Sequence, residues 1–108
     1  NEIKHIVIST AEKENKFLIL SVTSGSFDKT CEINPEDIID NNGNSVLKHK
    51  SYIAYKFAFE FENYKTYENF RKNYEYRCDI TPELLKKIQA GAKISKYLEY
   101  KFKKYFND

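Results

Sequence analysis

Residues 51–61 read Ser-Tyr-Ile-Ala-Tyr-Lys-Phe-Ala-Phe-Glu-Phe, and this stretch decides the fold. Successive side chains of a β-strand point to opposite faces, so a half-buried strand alternates apolar and polar residues. The stretch alternates in this way and therefore predicts one long strand with one face in the core. The residues predicted to share the apolar face are Ile53, Tyr55, Phe57, Phe59 and Phe61.

Shorter strands are predicted before this one. Residues 5–9 and 17–24 are rich in β-branched and other apolar residues, as strands are. The second segment begins with an unbroken apolar run, which favours a central position covered on both faces. Residues 31–33 predict a short edge strand, and Pro35 after Asn34 predicts a helical or 3₁₀ turn.

The region after the long strand is less regular. Residues 63–73 are polar and rich in Tyr, and they fit either a short helix over 68–73 or an extended loop. Residues 74–80 alternate again and predict a last strand.

Two helices are predicted at the C-terminus. Thr81 followed by a proline is a typical helix start, and Gly91 is expected to end or bend that helix. A second helix is predicted over 95–106. Its apolar stripe consists of Ile94, Tyr97, Leu98, Phe102 and Tyr105.

Together these elements predict one domain over residues 1–108, of the α+β class and mainly β. Strands come first and helices last. This order favours a small SH3-like antiparallel barrel or curled sheet at about 5–80, followed by C-terminal helices at about 81–106.

Charge is distributed unevenly along the chain. The net charge is +2, yet residues 1–62 carry −3 and residues 63–108 carry +5. A basic C-terminal part suits a polyanion or an acidic partner protein, although Lys-rich helices also occur simply as soluble surfaces.

Composition excludes several classes of protein. There is no run of 18 apolar residues, so no membrane span is predicted, and no secretory signal pattern opens the chain. Two cysteines without a CxxC spacing predict reduced thiols and no zinc site. We therefore expect a cytoplasmic protein that uses no metal or other cofactor.

Cationic and hydroxyl-bearing residues cluster where the long strand begins. His49 lies between Lys48 and Lys50 and is followed by Ser51 and Tyr52. Metal-free RNA cleavage needs a base for the 2′-hydroxyl, an acid for the leaving 5′-oxygen, and cations beside the phosphorane. Imidazole is the side chain whose ordinary pKa lies near neutrality, so His49 is the candidate base or acid.

Further residues complete the predicted site. Ser51 and Thr23 join His49 as candidate catalytic residues, because hydroxyls hold phosphate oxygens. Tyr52 is expected to stack on a base or to donate a hydrogen bond. Each of these residues also has a structural interpretation, as a strand-edge or turn residue. The residues predicted to bind substrate are Lys48, Lys50, Tyr52, Lys56 and Ser24.

Three stretches resemble the MazF/PemK-like family of bacterial toxin–antitoxin growth inhibitors, and in particular a compact subgroup of it. Residues 83–92 and Ser95 resemble the last helix of that subgroup, and the whole resemblance extends over about residues 5–98. The three stretches are Val22-Thr23-Ser24, Thr30-Cys31-Glu32-Ile33 and Leu47-Lys48-His49-Lys50-Ser51-Tyr52-Ile53-Ala54-Tyr55.

The resemblance implies a fold and a function. Members of this family are small SH3-like barrels, often homodimers, that cut single-stranded RNA without a metal ion. An acidic segment of an antitoxin protein usually blocks their RNA groove. The chain is therefore expected to be a toxin of a bacterial toxin–antitoxin system, a metal-independent endoribonuclease. Its expected partners are RNA, an antitoxin and a second copy of itself.

Two other interpretations remain open. The same aromatic and basic surface fits a non-catalytic SH3-like module that binds a protein or a nucleic acid. Alternatively, the basic C-terminal helix docks on a partner protein and His49 is merely structural. An RNA cleavage assay with and without a chelator separates the enzyme from the module, because only the enzyme cuts RNA.

Overall fold

The chain folds into one antiparallel sheet with helices packed against it. The structure, a computed structural model, describes residues 6–25 and 27–106. The predicted class is confirmed: the fold is α+β, mainly sheet, and the sheet is curled. His5, which was predicted to open the first strand, lies outside the described residues. The strands follow the order β1-β2-β4-β3 in the sheet and are β1 (Ile6–Lys13), β2 (Lys16–Thr23), β3 (Glu32–Ile33) and β4 (Ser51–Phe61).

β1 and β2 form a hairpin in which β1 is longer than predicted. Glu14 and Asn15 make its turn with positive φ angles of 55° and 64°. A two-residue type I′ turn requires such angles, and its twist matches that of the flanking strands. Lys13 and Lys16 therefore still pair beside the turn. Residues 17–20 are all buried, which confirms the central position predicted for the second strand.

A large bulge divides β4 into two halves. Ile19 of β2 pairs with Phe59, whereas Ser21 pairs with Ala54, so two steps along β2 match five steps along β4. A bulge bends a strand and interrupts the alternation of its faces. Phe57 is consequently 60% exposed, and its predicted place on the buried face is wrong. The prediction assumed an uninterrupted ladder, which β4 does not form.

Helix α2 (Pro82–Ile94) packs on the first half of β4 through a close contact. Tyr55 is fully buried, and its hydroxyl donates a 2.7 Å hydrogen bond to the carbonyl of Ile88. A Cβ on Gly91 would overlap that hydroxyl and would lie 3.2 Å from the Cβ of Cys31. Gly91 therefore permits the close approach from inside the helix, and the prediction that the helix ends there is wrong.

Both ends of α2 are capped. At the start, the Thr81 hydroxyl accepts a 3.1 Å hydrogen bond from the backbone N–H of Leu84, as the sequence predicts. At the end, the Lys103 ammonium group donates to the carbonyls of Ala92 and Ser95 at 2.7 and 2.8 Å. A cation there is stabilising, because the last carbonyls of a helix carry negative partial charge.

The second predicted C-terminal helix is only partly formed. Residues 95–99 are not helical, and a 3₁₀ helix (Tyr100–Phe106) follows them. Ile94 is 72% exposed and Tyr97 is 43% exposed, so the predicted apolar stripe is wrong at both positions. A stripe calculated for 3.6 residues per turn does not persist through an irregular segment and a 3₁₀ helix, which has three residues per turn.

Helix α1 (Tyr64–Arg71) occupies the region for which the sequence left helix and loop open. The Asn63 side chain accepts a 3.0 Å hydrogen bond from the backbone N–H of Thr66 and so caps its start. Neither this helix nor α2, the two α-helices of the described chain, has the length and apolarity needed to cross a bilayer.

Residues 74–80 are not a strand, which corrects the sequence prediction. Side-chain contacts take the place of a ladder. Tyr76 donates a 2.6 Å hydrogen bond to Asp79, and Arg77 forms a 3.0 Å ion pair with Asp40. The alternation of this segment is used instead to pack Cys78 and Ile80 against the core.

Candidate functional site

β4 begins between two shorter strands, and one of its first residues, Tyr52, pairs with Thr23, another predicted site residue. Tyr52 lies opposite Thr23 of β2 on one side and opposite Glu32 of β3 on the other. Residues 48–50 immediately precede the strand and are all exposed. We call the surface formed by Thr23, Ser24, residues 48–50 and Tyr52 the β4 entrance.

His49 presents an exposed side chain at the β4 entrance, between the exposed Lys48 and Lys50. The Lys50 ammonium nitrogen lies 3.8 Å from a carboxylate oxygen of Glu32, and both side chains remain open to solvent. Exposed pairs of this kind contribute at most about 1 kcal/mol. A phosphate group can therefore compete with Glu32 for this cation.

Ser51 lies behind the surface rather than on it. It is 5% exposed, and its hydroxyl donates a 2.9 Å hydrogen bond to the carbonyl oxygen of His49. The bond holds the backbone beneath the imidazole. In this arrangement Ser51 fixes the position of His49, and its own proton is already engaged.

Hydroxyl groups and a further cation border Tyr52. The Thr23 hydroxyl oxygen accepts a long 3.3 Å hydrogen bond from the N–H of Gly25, and Ser24 is exposed. The ammonium nitrogen of Lys29 lies 4.8 Å from the ring centre of Tyr52, within cation–π range. Sequence reasoning missed Lys29, because a loop sequence does not indicate which ring its side chains cover.

Lys56, four residues after Tyr52 on β4, approaches the exposed ring of Phe27. Its ammonium nitrogen lies 5.4 Å from the ring centre of Phe27. Phe27 in turn meets Tyr97 edge to face, with ring centres 4.8 Å apart and planes at 75°. Sequence reasoning assigned Tyr97 to the core and did not single out Phe27. One feature of the sequence could have indicated Phe27: it is a large aromatic residue inside a polar loop that contains Gly and Ser.

A buried carboxylate fixes the loop that carries Phe27. Asp28 is 2% exposed, and one of its oxygens accepts from the N–H and the hydroxyl of Thr30, at 3.0 and 2.5 Å. Its other oxygen accepts a 3.1 Å hydrogen bond from the buried hydroxyl of Ser95. Lys29, whose ammonium group lies over the Tyr52 ring, is the residue between Asp28 and Thr30, and Ser95 precedes Tyr97 by two positions. The hydrogen bonds of Asp28 therefore fix both the segment that covers Tyr52 and the segment that carries Tyr97.

Both cysteine thiols are in surroundings that favour the protonated form. Burial raises the pKa of the Cys31 thiol, and partial burial also raises the pKa of Cys78, so both remain protonated near neutrality. Across residues 6–25 and 27–106, no three His, Cys, Asp or Glu side chains group in a way that would hold a metal ion.

A large open groove lies away from the β4 entrance. It has a volume of about 1370 Å³ and runs between β1, the end of α1 and residues 72–80. Ile6 and Ile8 contribute to an apolar lining, whereas charged side chains of both signs line the opposite wall. None of the residues predicted for the site lines this groove. The concave surface and the predicted chemistry are therefore in different places.

Comparison with known proteins assigns neither surface a role. No family model, no curated protein and no solved structure matches the chain.

Proposed function

We propose that this protein is the toxin of a bacterial toxin–antitoxin system, and that it cleaves single-stranded RNA in the cytoplasm at the β4 entrance without a metal ion. The observation that supports the proposal is an exposed imidazole, His49, held between two exposed lysines at the end of a sheet. The Thr23 hydroxyl lies on the strand end paired with Tyr52, and the exposed Ser24 follows it.

The chemistry requires few groups. The imidazole of His49 takes the proton of a 2′-hydroxyl, and that oxygen attacks the adjacent phosphorus while the bond to the 5′-oxygen breaks. Lys48 and Lys50 stabilise the charge that develops on the non-bridging oxygens. The leaving 5′-oxygen takes a proton from an acid at the same surface, for which the phenol of Tyr52 is the candidate.

Cleavage of a short single-stranded RNA in the presence of a chelator tests the proposal. The wild-type protein is expected to cut, and His49→Ala is expected to lower the rate about 10²- to 10⁴-fold, the usual contribution of a general acid or base. Lys65→Ala, at an exposed position of α1, is the matched control and should retain the wild-type rate. Full activity of His49→Ala would contradict the mechanism.

The partner makes a separate prediction. An antitoxin with an acidic segment is expected to compete with RNA for the exposed lysines of the β4 entrance. An acidic protein encoded beside this one should therefore inhibit cleavage and relieve growth arrest. Inhibition that persists in high salt would argue against this electrostatic contact, because salt screens exposed charges.

The groove beside β1 favours one alternative, a non-catalytic binding module. β1 is an edge strand, and residues 6–9 line the groove together with residues 72–80. An edge strand beside a groove with one apolar wall suits an extended peptide, which adds to the sheet by main-chain hydrogen bonds. Such a module would bind without cutting RNA, and its ligand would protect the amides of residues 6–9 rather than those of 48–56.

A further inference from the structure

We infer that Phe27 and Tyr97 form a base-stacking platform, which holds an unpaired base of the RNA next to the β4 entrance. The inference rests on the proposed function and identifies two residues that the catalytic proposal does not include. Both are aromatic, both are exposed, by 56% and 43%, and they contact each other.

The exposure of this pair differs from that of a lone surface ring. Single exposed apolar residues are common on folded proteins and need no explanation. Here two large rings from distant parts of the chain meet edge to face in solvent. An edge-to-face pair covers only one of its four ring faces, and Lys56 approaches one further face. Open ring faces therefore remain for a planar ligand.

The pair is also held in place, which a stacking surface requires. Asp28, next to Phe27, accepts a hydrogen bond from Ser95, and the Ser95 hydroxyl oxygen accepts a 3.1 Å bond from the N–H of Tyr97. Phe27 and Tyr97 are thus joined through two buried polar residues. A rigid aromatic surface loses little conformational entropy when it binds.

The charges around the pair indicate the ligand. Lys56 lies over Phe27, Lys29 follows it in the loop, and the exposed Lys96 precedes Tyr97. Proteins that bind single-stranded nucleic acid combine aromatic rings for the bases with cations along the backbone. Lys56 and Tyr52 lie four residues apart on β4, a span of at most about 13 Å at the rise of a regular strand. The platform is therefore close enough for one RNA strand to reach both it and the β4 entrance.

Binding and cleavage measured together test the inference. Anisotropy is recorded with a fluorescent single-stranded RNA that is blocked at the 2′-hydroxyl, and cleavage is recorded with the unblocked RNA. Phe27→Ala and Tyr97→Ala are each expected to weaken binding about 5- to 150-fold, the range for loss of one stacked base. The matched controls are Phe57→Ala and Tyr100→Ala, which remove rings that are 60% and 91% exposed.

An RNA series that lacks one base at a time supplies a second readout. One abasic position is expected to weaken wild-type binding but to leave Phe27→Ala unaffected, because the variant has no stack to lose. If Phe27→Ala and Tyr97→Ala both bind the RNA with wild-type affinity, the stacking proposal is wrong and the nuclease proposal is unaffected. A wild-type protein that neither binds nor cuts RNA would overturn both.

Discussion

Two groups of aromatic side chains, one near the start and middle of β4 and one near its end, differ in what covers their rings. Near the β4 entrance, Tyr52 and Phe27 each face a lysine, and Tyr97 contacts only Phe27 among the described rings. We call these three residues the entrance aromatics. Beyond the bulge, rings pack on rings in an α1 cluster. Its members are Phe17, Phe59, Phe61, Tyr67 and Phe70.

The rings of the α1 cluster bury one another. Phe17 is 9% exposed and stacks on Tyr67 with ring centres 4.4 Å apart. A cation does approach Tyr67, since Arg71 lies 5.7 Å from its ring centre, but that guanidinium also forms a 2.8 Å ion pair with Glu68. Aromatic residues therefore serve two purposes in this chain. Ring-to-ring burial stabilises the fold, whereas solvent-exposed rings beside lysines are available to a ligand.

Substitution of one phenylalanine in each group gives the largest expected difference. Phe17→Ala removes a buried, stacked ring and should lower the free energy of unfolding by about 3–5 kcal/mol. Phe27→Ala removes a ring that is more than half exposed and should change the free energy of unfolding by about 0.5 kcal/mol or less. Chemical denaturation of both variants measures the difference. Equal destabilisation would mean that the entrance aromatics are also core.

A substitution in α2 tests its contact with the first half of β4. Alanine favours a helix over glycine by about 1 kcal/mol, yet Gly91→Ala should destabilise the protein by about 1–3 kcal/mol. The reason is that its Cβ would overlap the hydroxyl of Tyr55. Hydrogen exchange should accelerate at residues 51–55 more than at 59–61.

Tyr55→Phe supplies the control for that substitution. It removes the hydroxyl that the new methyl group meets, so Gly91→Ala should cost less in the Tyr55→Phe background than in the wild type. The double-mutant cycle measures this coupling. Strictly additive effects would contradict the close contact.

The smallest expected effect concerns acid stability near the groove. Hydrogen bonds from the backbone of Asn44 and from Arg77 lower the pKa of Asp40 below its usual value. The ionised form is therefore favoured by folding. This contribution is complete above the unfolded pKa and is lost as the pH falls through the folded one.

Asp40→Asn should therefore flatten the loss of stability as the pH falls below about 4, the ordinary pKa of a free aspartate. Thermal unfolding across this range checks the slope, with Glu36→Gln at an exposed position as the control. If stability falls with pH as steeply in Asp40→Asn as in the wild type, the ion pair between Asp40 and Arg77 does not contribute to acid stability.

The sequence predicts most of the backbone, because periodicity and turn chemistry are local properties. The limits of β4 at 51 and 61 and the start of α2 after Thr81 are predicted in full. The bulge in β4 is not, since it depends on pairing with β2. The 3₁₀ helix at the C-terminus is missed for a similar reason: Lys103 and Ser95 complete the end of α2 through tertiary hydrogen bonds.

The candidate site is likewise predictable from the sequence only in part. The exposure of His49, Lys48 and Lys50 follows from a polar loop before a strand. The anchoring of Phe27 to Tyr97 does not follow from the sequence, because it depends on a buried hydrogen bond between residues 67 positions apart. Ser51 looks like a candidate hydroxyl in the sequence, yet it is turned inward by the same strand that delivers it.

Mapping of backbone amide shifts during titration with a short single-stranded RNA tests the central claim most directly. The account predicts shifts at residues 23–30, 48–56 and 95–97, with the α1 cluster and residues 6–9 unchanged. Shifts confined to β1 and residues 72–80, or no shifts in excess RNA, would contradict it.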